Sequence, residues 1–285
     1  MHMLEKNLRT ALACDYTATV ILWALGTIGM LGPLGIFVYL LFNGISAIDW
    51  VFLSQAPKGF PLGQSGGILP AIKGSLALVG IGLLFAMPLA VSGAIYMTEY
   101  GRNLTWLKVV RFSTECLASI PAIVYGLFGY AFLVVYMALK VSLLAGGITL
   151  GFVMLPIILI GAEEAMRAVR FEEREAALAL GVTRTHVARR IVLRRAWPGI
   201  LAVMILAAGH ALGTAAPILY TASVILSPVD LSLSAPVMTL PTHLYYLVSE
   251  AVSMEQAYGT ALILMFTLLI VNCLAMYLQY RLRIR

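Results

Sequence analysis

One stretch of this sequence reads Glu172-Glu-Arg-Glu-Ala-Ala-Leu-Ala-Leu-Gly181 and continues through Val182 to Pro198. It is rich in charge: eight arginines and five glutamates lie between Ala162 and Pro198, out of 19 Lys+Arg and 13 Asp+Glu in the chain. Good helix formers up to a single glycine predict two helices joined by a tight turn. Apolar segments flank the stretch on both sides, so we interpret it as a hairpin that leaves the membrane and meets a soluble partner.

The overall composition is that of a membrane protein. Hydrophobic residues make up 61% of the chain and charged residues 11%, against about a quarter charged in soluble domains. Roughly 20 apolar residues cross a bilayer core, which predicts an all-α, polytopic protein with six transmembrane helices in a single domain over residues 1–285. The six apolar segments cover residues 17–42, 72–98, 116–139, 147–164, 199–222 and 257–280.

The distribution of basic residues predicts the topology. Three lysines, Lys58, Lys73 and Lys140, fall on one side of the predicted spans. The other side carries sixteen basic residues, namely Lys6, Arg9, Arg102, Lys108, Arg111, the eight hairpin arginines, Arg281, Arg283 and Arg285. By the positive-inside rule both termini, including residues 1–16, and the hairpin 163–198 are cytoplasmic, and the segment 223–256 is external. The net charge of +6 therefore reflects topology, and we expect no nucleic-acid partner.

The sequence offers no set of residues for catalysis or metal binding. Cys14, Cys116 and Cys273 are far apart and lack metal-ligand spacing. His2, His186, His210 and His243 have no neighbouring cysteine or carboxylate set that would bind zinc. A phosphate-binding Gly-x-x-x-x-Gly-Lys-Ser/Thr loop is also missing. We expect a chain that is not an enzyme and binds no metal or cofactor of its own.

Local signals define the hairpin more closely. Gly181 suits a helix C′ position with positive φ, where Val182 can fold back on Ala177. Thr183 or Thr185 can cap the next helix, and we expect Pro198 to end it before the fifth span. Outside this turn, Glu163 stands one helical turn before Arg167, and Arg111 one turn before Glu115, so both pairs are expected to interact locally.

The hairpin resembles the EAA loop of ABC-importer permeases, in which Glu-Ala-Ala, a glycine, an apolar residue and a proline recur at this spacing. Those positions are Glu175, Ala176, Ala177, Gly181, Ile191 and Pro198. In that family the short helix lies in a groove of the ATPase subunit, which implies a coupling role here. The alternative is a solvated amphipathic hairpin without a partner. The expected coupling residues are Glu172, Glu175, Ala176, Ala177, Gly181, Val182, Thr183 and Arg184.

Further motifs between residues 60 and 280 resemble the PstA-type permeases of phosphate-specific importers. They are Gly66-Gly-Ile-Leu-Pro-Ala71, Ala94-Ile-Tyr-Met-Thr-Glu-Tyr-Gly101, Ser119-Ile-Pro-Ala-Ile-Val-Tyr-Gly-Leu-Phe128 and Gly213-Thr-Ala-Ala-Pro217. The resemblance implies a type I ABC importer permease (MetI-like) fold with its core over 72–280. It also implies a second related permease, two ATP-binding subunits that carry ATP-Mg, and an external solute-binding protein as partners.

One departure from the family pattern concerns the fifth span. Where such permeases usually read Arg-x-x-Gly-Glu-Thr-Ala-Pro, this chain has His210-Ala-Leu-Gly213-Thr214-Ala-Ala-Pro217. We expect His210 near the middle of this span, where it either passes an oxyanion along the pore or bonds a neighbouring helix. Thr214 either contacts substrate or bonds its own backbone. Pro121 and Pro217 complete the candidate translocation path, where they either re-aim backbone groups at the path or are kinks without a function.

The sequence thus favours a permease subunit of an ATP-driven importer for inorganic phosphate or a similar oxyanion, in a bacterial plasma (inner) membrane. Alternatives are an ABC permease for a different oxyanion, a secondary transporter, or a membrane scaffold. A proton-coupled carrier needs acidic residues within its spans, and none lies deep in this sequence.

Overall fold

A computed structural model describes residues 2–61, 63–101, 104–225 and 231–283 of the chain. Side chains are described for residues 15–61, 63–101, 105–225 and 231–281. Several side chains invoked above lie outside this set: His2, Lys6, Arg9, Cys14, Arg102, Arg283 and Arg285.

Helices account for most of the described chain. In order they are α1 (His2–Gly44), α2 (Trp50–Ser54), α3 (Leu69–Ile95), α4 (Leu104–Ser119), α5 (Ala122–Gly129), α6 (Leu143–Arg167), α7 (Phe171–Ala179), α8 (Arg184–His186), α9 (Leu193–Leu212), α10 (Ala216–Leu219), α11 (Leu240–Ser249) and α12 (Met254–Arg283). The π-helical segments Tyr96–Tyr100 and Tyr130–Tyr136 extend α3 and α5, and Val187–Val192 joins α8 to α9. A 3-10 turn, Ile45–Ala47, follows α1, and β1 (Pro57–Lys58) pairs antiparallel with β2 (Ser65–Gly66).

Five helices of the described chain are long and apolar enough to cross a membrane, and a bent pair of helices makes a sixth candidate. The five are Asp15–Ala47, Leu69–Tyr100, Leu143–Arg167, Arg184–Leu212 and Met254–Arg281. The hydrophobic stretch of α6 is the most buried of them and that of α1 has no buried residue, so α6 is central and α1 peripheral.

Small residues let α3 and α6 approach each other closely at the centre of the fold. A Cβ atom added to Gly82 would lie 3.1 Å from the carbonyl oxygen of Gly147 and 3.2 Å from the nitrogen of Gly151. Without a hydrophobic driving force between helices in lipid, such backbone contact is a main source of helix association. Met154, Leu78 and Ile158 fill the core on either side of it.

The third span is broken where the sequence predicts one segment over 116–139. Thr105–Ser119 and Ala122–Tyr136 meet at an angle of 95°. Pro121 is the cause, because a proline disfavours helical geometry in the residue before it. The predicted kink is therefore confirmed. The second half of the broken span also packs closely on α10, because a Cβ on Gly126 would lie 2.9 Å from the carbonyl oxygen of Ala216.

The expected ends of the fourth span were wrong. The sequence predicts the fourth span over 147–164, with Gly146-Gly147 at its start, but both glycines lie inside α6. The helix starts earlier, at Leu143, because the Ser142 hydroxyl accepts a hydrogen bond from the Ala145 amide at 3.2 Å. The glycines serve packing instead, since a side chain on Gly147 would collide with Ile81 of α3.

The fifth span also differs from the prediction. Pro198 does not end the second hairpin helix, because α9 runs through it to Leu212. The second helix of the predicted hairpin and the predicted span 199–222 therefore form one helix from Arg184 to Leu212, which is followed by the short α10. Membrane helices tolerate an internal proline where neighbouring groups satisfy the freed carbonyl, so the proline rule of soluble helices fails here.

Within the predicted external segment 223–256, residues 231–256 fold back onto the bundle, in keeping with their many apolar side chains. Thr239 and Thr242 form a reciprocal capping box at the start of α11, and the Leu240 amide donates to the Ser75 hydroxyl of α3 at 2.9 Å. His243 of α11 is buried, and this burial lowers its pKa to about 4, so the side chain is neutral at pH 7.

A glycine pair on α3 tests the importance of the contact with α6. Gly82→Ala places a methyl group against backbone atoms of α6 and is expected to cost about 1–3 kcal/mol of stability. Gly80→Ala is the matched control, because nothing lies within 4 Å of the added Cβ. The measurement is equilibrium unfolding of the purified chain in mixed SDS and detergent micelles. Equal stabilities for the two variants would show that the close contact contributes little.

Candidate functional site

Within the predicted hairpin 163–198, the part that projects from the bundle consists of α7, a tight turn and α8. The name hairpin refers to this part, residues 171–186, from here on. Gly181 has φ +79°, its amide donates to the Leu178 carbonyl at 3.0 Å, and the Val182 amide donates to the Ala177 carbonyl at 3.2 Å. These two bonds and the positive φ make a complete Schellman motif. The structure thus agrees with the predicted roles of Gly181 and Val182. Thr183 occupies the N-cap position of α8, but its side chain makes no capping hydrogen bond.

The outer face of the hairpin is open to solvent. Six of the eight predicted coupling residues are exposed: Glu172, Glu175, Ala176, Gly181, Thr183 and Arg184. Ala177 is buried and Val182 half-buried, so these two hold the hairpin against the protein and are not on its outer face. Leu180 is 84% exposed and Phe171 64% exposed. The sequence analysis missed both, although large apolar side chains in a polar loop are a signal of an interaction surface.

The inner face of the hairpin is attached to the bundle by polar contacts. Arg195 of α9 pairs with Glu173 at 3.3 Å, and Tyr100 donates its hydroxyl proton to Thr185 at 3.1 Å. Arg174 lies 3.4 Å from Glu99 in the π-helical end of α3. It also donates to the carbonyl oxygen of Met166, near the end of α6, at 2.6 Å. The hairpin is therefore tied to α3, α6 and α9.

A second ion-pair cluster lies at the end of α6, where Glu163 is buried. Arg167, one turn further along, pairs with it at 2.9 Å, as predicted. Arg111 of α4 also binds this carboxylate, and the expected local pairing of Arg111 with Glu115 is wrong. Because a buried carboxylate is stabilised only by close cations and hydrogen bonds, Glu163 draws the arginine across from the neighbouring helix.

A cavity of about 1090 Å³ lies behind the hairpin, between α6, α9 and α12. Its lining is apolar at Gly161 and Val203 and charged at Glu173, Arg190 and Arg194.

The candidate path residues lie around two interruptions of helices. His210 is in the last turn of α9 and not near the middle of a span, because the helix ends at Leu212. Its side chain is exposed and has no hydrogen-bond or ion-pair partner in the part of the chain described. The Thr214 hydroxyl donates to the carbonyl of His210 at 2.7 Å, which is the backbone bond considered above.

The two prolines mark the adjoining breaks. Pro121 is exposed at the start of α5, and Pro217 is buried in α10. The structure brings Pro217 against Gly126 of α5, where a Cβ would lie 3.0 Å from the Cα atom of Pro217. The two interrupted segments therefore pack against each other through this contact between α5 and α10.

These features define a multi-pass helical membrane protein of the permease type. The chain belongs to the family of binding-protein-dependent transport system inner membrane components, whose sequence profile matches residues 86–284. It is accordingly a multi-pass protein of the inner membrane.

Relatives in several bacteria agree with this assignment. The chain is 31% identical to the phosphate transport system permease protein PstA of Haemophilus influenzae, over 87% of this chain and 93% of the relative. It is 34% identical to PstA 2 of Mycobacterium bovis, over 80% and 75% respectively. It is 29% identical to the probable ABC transporter permease protein YqgI of Bacillus subtilis, over 86% and 87%.

Solved structures confirm the expected fold of type I importer permeases. A chain of a bacterial alginate ABC transporter matches with a TM-score of 0.65 at 17% identity, covering 94% of this chain and 96% of that one. A chain of the MetNI methionine ABC transporter, in an inward-facing form, matches with a TM-score of 0.58 at 16% identity, covering 76% and 94%.

A substitution at the buried carboxylate tests the cluster at the end of α6. Glu163→Gln keeps the shape of the side chain but removes the charge that holds Arg111 and Arg167, and is expected to cost about 1–3 kcal/mol. Glu172→Gln is the control, because its pair with Arg170 at 3.6 Å is fully surface-exposed and such pairs contribute about 0–1 kcal/mol. Equilibrium unfolding in mixed micelles measures both. A loss at Glu163 no larger than at Glu172 would contradict the structural role.

Proposed function

We propose that this chain is a permease subunit of an ATP-driven importer for inorganic phosphate or a similar oxyanion. The observation that carries the proposal is the hairpin, which is rigidly anchored on its inner face and open on its outer face. The phosphate assignment draws on relatives named as phosphate transport permeases over most of their length. ATP hydrolysis belongs to a partner, and ATP-Mg is bound there.

The hairpin surface formed by Phe171, Glu172, Glu175, Ala176 and Leu180 is where we place the ATPase subunit. Exposed Leu180 and Phe171 supply the apolar contact, and the glutamates and Arg184 supply a charged rim. An apolar centre with a polar rim is the usual anatomy of a protein interface. The positive-inside distribution of basic residues puts this surface, and both termini, in the cytoplasm where ATP is available.

The family name implies further partners. A binding-protein-dependent system requires an external solute-binding protein. We propose that this chain forms half of the translocation path, with a second related permease as the other half and two ATP-binding subunits beneath them.

The energetics of the cargo are consistent with an energised importer. Moving a dianion into a cell costs about 4.6 kcal/mol for each 100 mV of inside-negative potential, at about 2.3 kcal/mol per charge. A passive pore would let the anion leak outward, so energy has to enter the cycle. The secondary-transporter and scaffold alternatives leave the exposed hairpin without a role.

We propose that the translocation path runs beside the interrupted helices α5, α9 and α10. His210 is exposed on the isolated subunit although it lies within a membrane helix, and an ionisable side chain facing lipid is costly. We therefore assign its face to the path or to the second permease. Thr214, Pro121 and Pro217 flank it. Histidine is a weaker anion ligand than arginine, and unlike arginine it can lose its charge near neutral pH. A different oxyanion is therefore the second candidate for the cargo.

Docking is tested by co-purification of the ATPase subunit with tagged permease. Glu175→Arg and Leu180→Asp each disturb the outer face without altering the Schellman turn, and each is expected to reduce the bound ATPase at least tenfold. Glu250→Arg makes the same charge change on an exposed residue of the external segment and is expected to have no effect. Normal ATPase yield with both hairpin variants would rule the docking surface out.

The cargo is tested by ATPase stimulation in proteoliposomes that contain the whole complex and its binding protein. Inorganic phosphate is expected to raise ATP hydrolysis severalfold, whereas sulfate and molybdate are expected to have little effect. Stimulation by sulfate or molybdate but not by phosphate would replace the proposed substrate and leave the importer assignment intact.

A further inference from the structure

One ion pair of the hairpin differs from the others in its burial. The side chains of Arg174 and Glu99 are only 17% and 12% exposed, whereas Arg195 and Arg167 in neighbouring pairs are more than half exposed. A buried pair contributes little net stability, because desolvation of both charges offsets their attraction. Its burial therefore calls for another explanation.

The position of this pair connects two parts of the molecule that are far apart in sequence. Arg174 lies on the inner face of α7, three residues before buried Ala177, and so directly behind the exposed docking face. Glu99 lies in the π-helical segment Tyr96–Tyr100 that ends α3. The second hydrogen bond of Arg174, to the carbonyl of Met166, fixes the guanidinium at the end of α6. A push on α7 is thus delivered to the end of α3.

The pair is also incompletely made in this conformation. Nη1 of Arg174 and Oε1 of Glu99 are 3.4 Å apart, against about 2.7–2.9 Å for a charge-assisted hydrogen bond. The Glu99 Oε1 and Arg174 Nε atoms are buried and have no hydrogen-bond partner within the described residues. A buried polar atom without a partner is unfavourable. A small approach of α7 to α3 would bring Nη1 of Arg174 within hydrogen-bond distance of the unpaired Oε1 of Glu99.

The π-helical segment Tyr96–Tyr100, which contains Glu99, is suited to a small rearrangement. π-helical turns are rare and frequently occur at functional sites. Next to Glu99, Tyr100 reaches the hairpin as well, through its 3.1 Å hydrogen bond to Thr185 of α8. Both halves of the hairpin are therefore linked to the same five residues, whereas the Glu163 cluster links α6 to α4 and leaves α3 untouched.

We infer that Arg174 and Glu99 form the joint through which movement of the hairpin is passed to α3, and that their 3.4 Å contact shortens to a direct hydrogen bond when the ATPase subunits close. This inference rests on the proposed function, because it needs an ATPase that moves the hairpin. Arg174 and Glu99 are positioning residues in this scheme: they contact neither ATP nor cargo, and their removal separates ATP hydrolysis from transport.

The test is hydrogen–deuterium exchange of the whole complex, with and without ATP plus vanadate. In the wild type, nucleotide trapping is expected to change amide exchange both in the hairpin, residues 172–184, and in residues 96–101. In Arg174→Gln and Glu99→Gln the hairpin is expected to respond as before, and residues 96–101 to lose most of their response. Glu173→Gln, which breaks the exposed pair with Arg195, is the matched control and is expected to behave as the wild type.

A double variant with reversed charges distinguishes a coupling contact from a merely structural one. The double variant Arg174→Glu with Glu99→Arg restores opposite charges and is expected to recover the response of residues 96–101. Phosphate taken up per ATP hydrolysed is expected to fall at least fivefold in the single variants, at nearly normal ATP hydrolysis, and to recover in the double variant.

Each other outcome has a definite meaning. If the hairpin of the wild-type complex does not respond to nucleotide, the proposed ATPase coupling is wrong. If the hairpin responds and residues 96–101 respond equally in the single variants, the joint is wrong and the coupling stands. Loss of ATPase binding in the single variants, without recovery in the double variant, would also overturn the joint.

Discussion

The close contact of α3 with α6 is the constraint on which the rest of the permease depends. Glycines allow the two backbones to touch within the membrane, so the two helices are in direct contact. Glu163 of α6 and Glu99, in the segment that extends α3, lie at the ends of these helices that face the hairpin. Arg111 of α4 and Arg174 of α7 bind these two carboxylates, so α4 and α7 are attached to the same helix pair.

This arrangement explains why the hairpin has two faces of different character. Ala177 packs inward, and Arg174 and Glu173 make ion pairs on the same side, so apolar packing and ion pairs together fix the inner face. Glu175 and Ala176, their immediate neighbours, point outward. A three-to-four-residue helical spacing is enough to separate an attached face from an exposed face on a helix of nine residues. The proposed coupling role needs both faces, because docking without attachment would move the hairpin alone.

The sequence predicted the membrane spans and the hairpin because both depend on local signals, namely hydropathy and the Gly181 turn. It failed where a distant residue decides the outcome. Arg111 has Glu115 one turn away, yet binds Glu163 of α6, since a buried carboxylate gains more from an added cation than an exposed one does. Pro198 is a stop signal in water but lies within α9, and Gly146 and Gly147 read as a turn but pack against α3. Tertiary contact overrides local preference in each case.

The exposed surface of the subunit indicates that it is incomplete alone. Apolar side chains along α1 are fully compatible with lipid, and their exposure needs no partner. His210 is different, because an imidazole gains nothing from lipid and has no partner within the described chain. The helix break after Leu212 adds polar backbone near it, which is tolerated at membrane depth only beside protein or water. The face that carries His210 is thus the one a second permease or a water-filled path has to cover, and the lipid-facing side is that of α1.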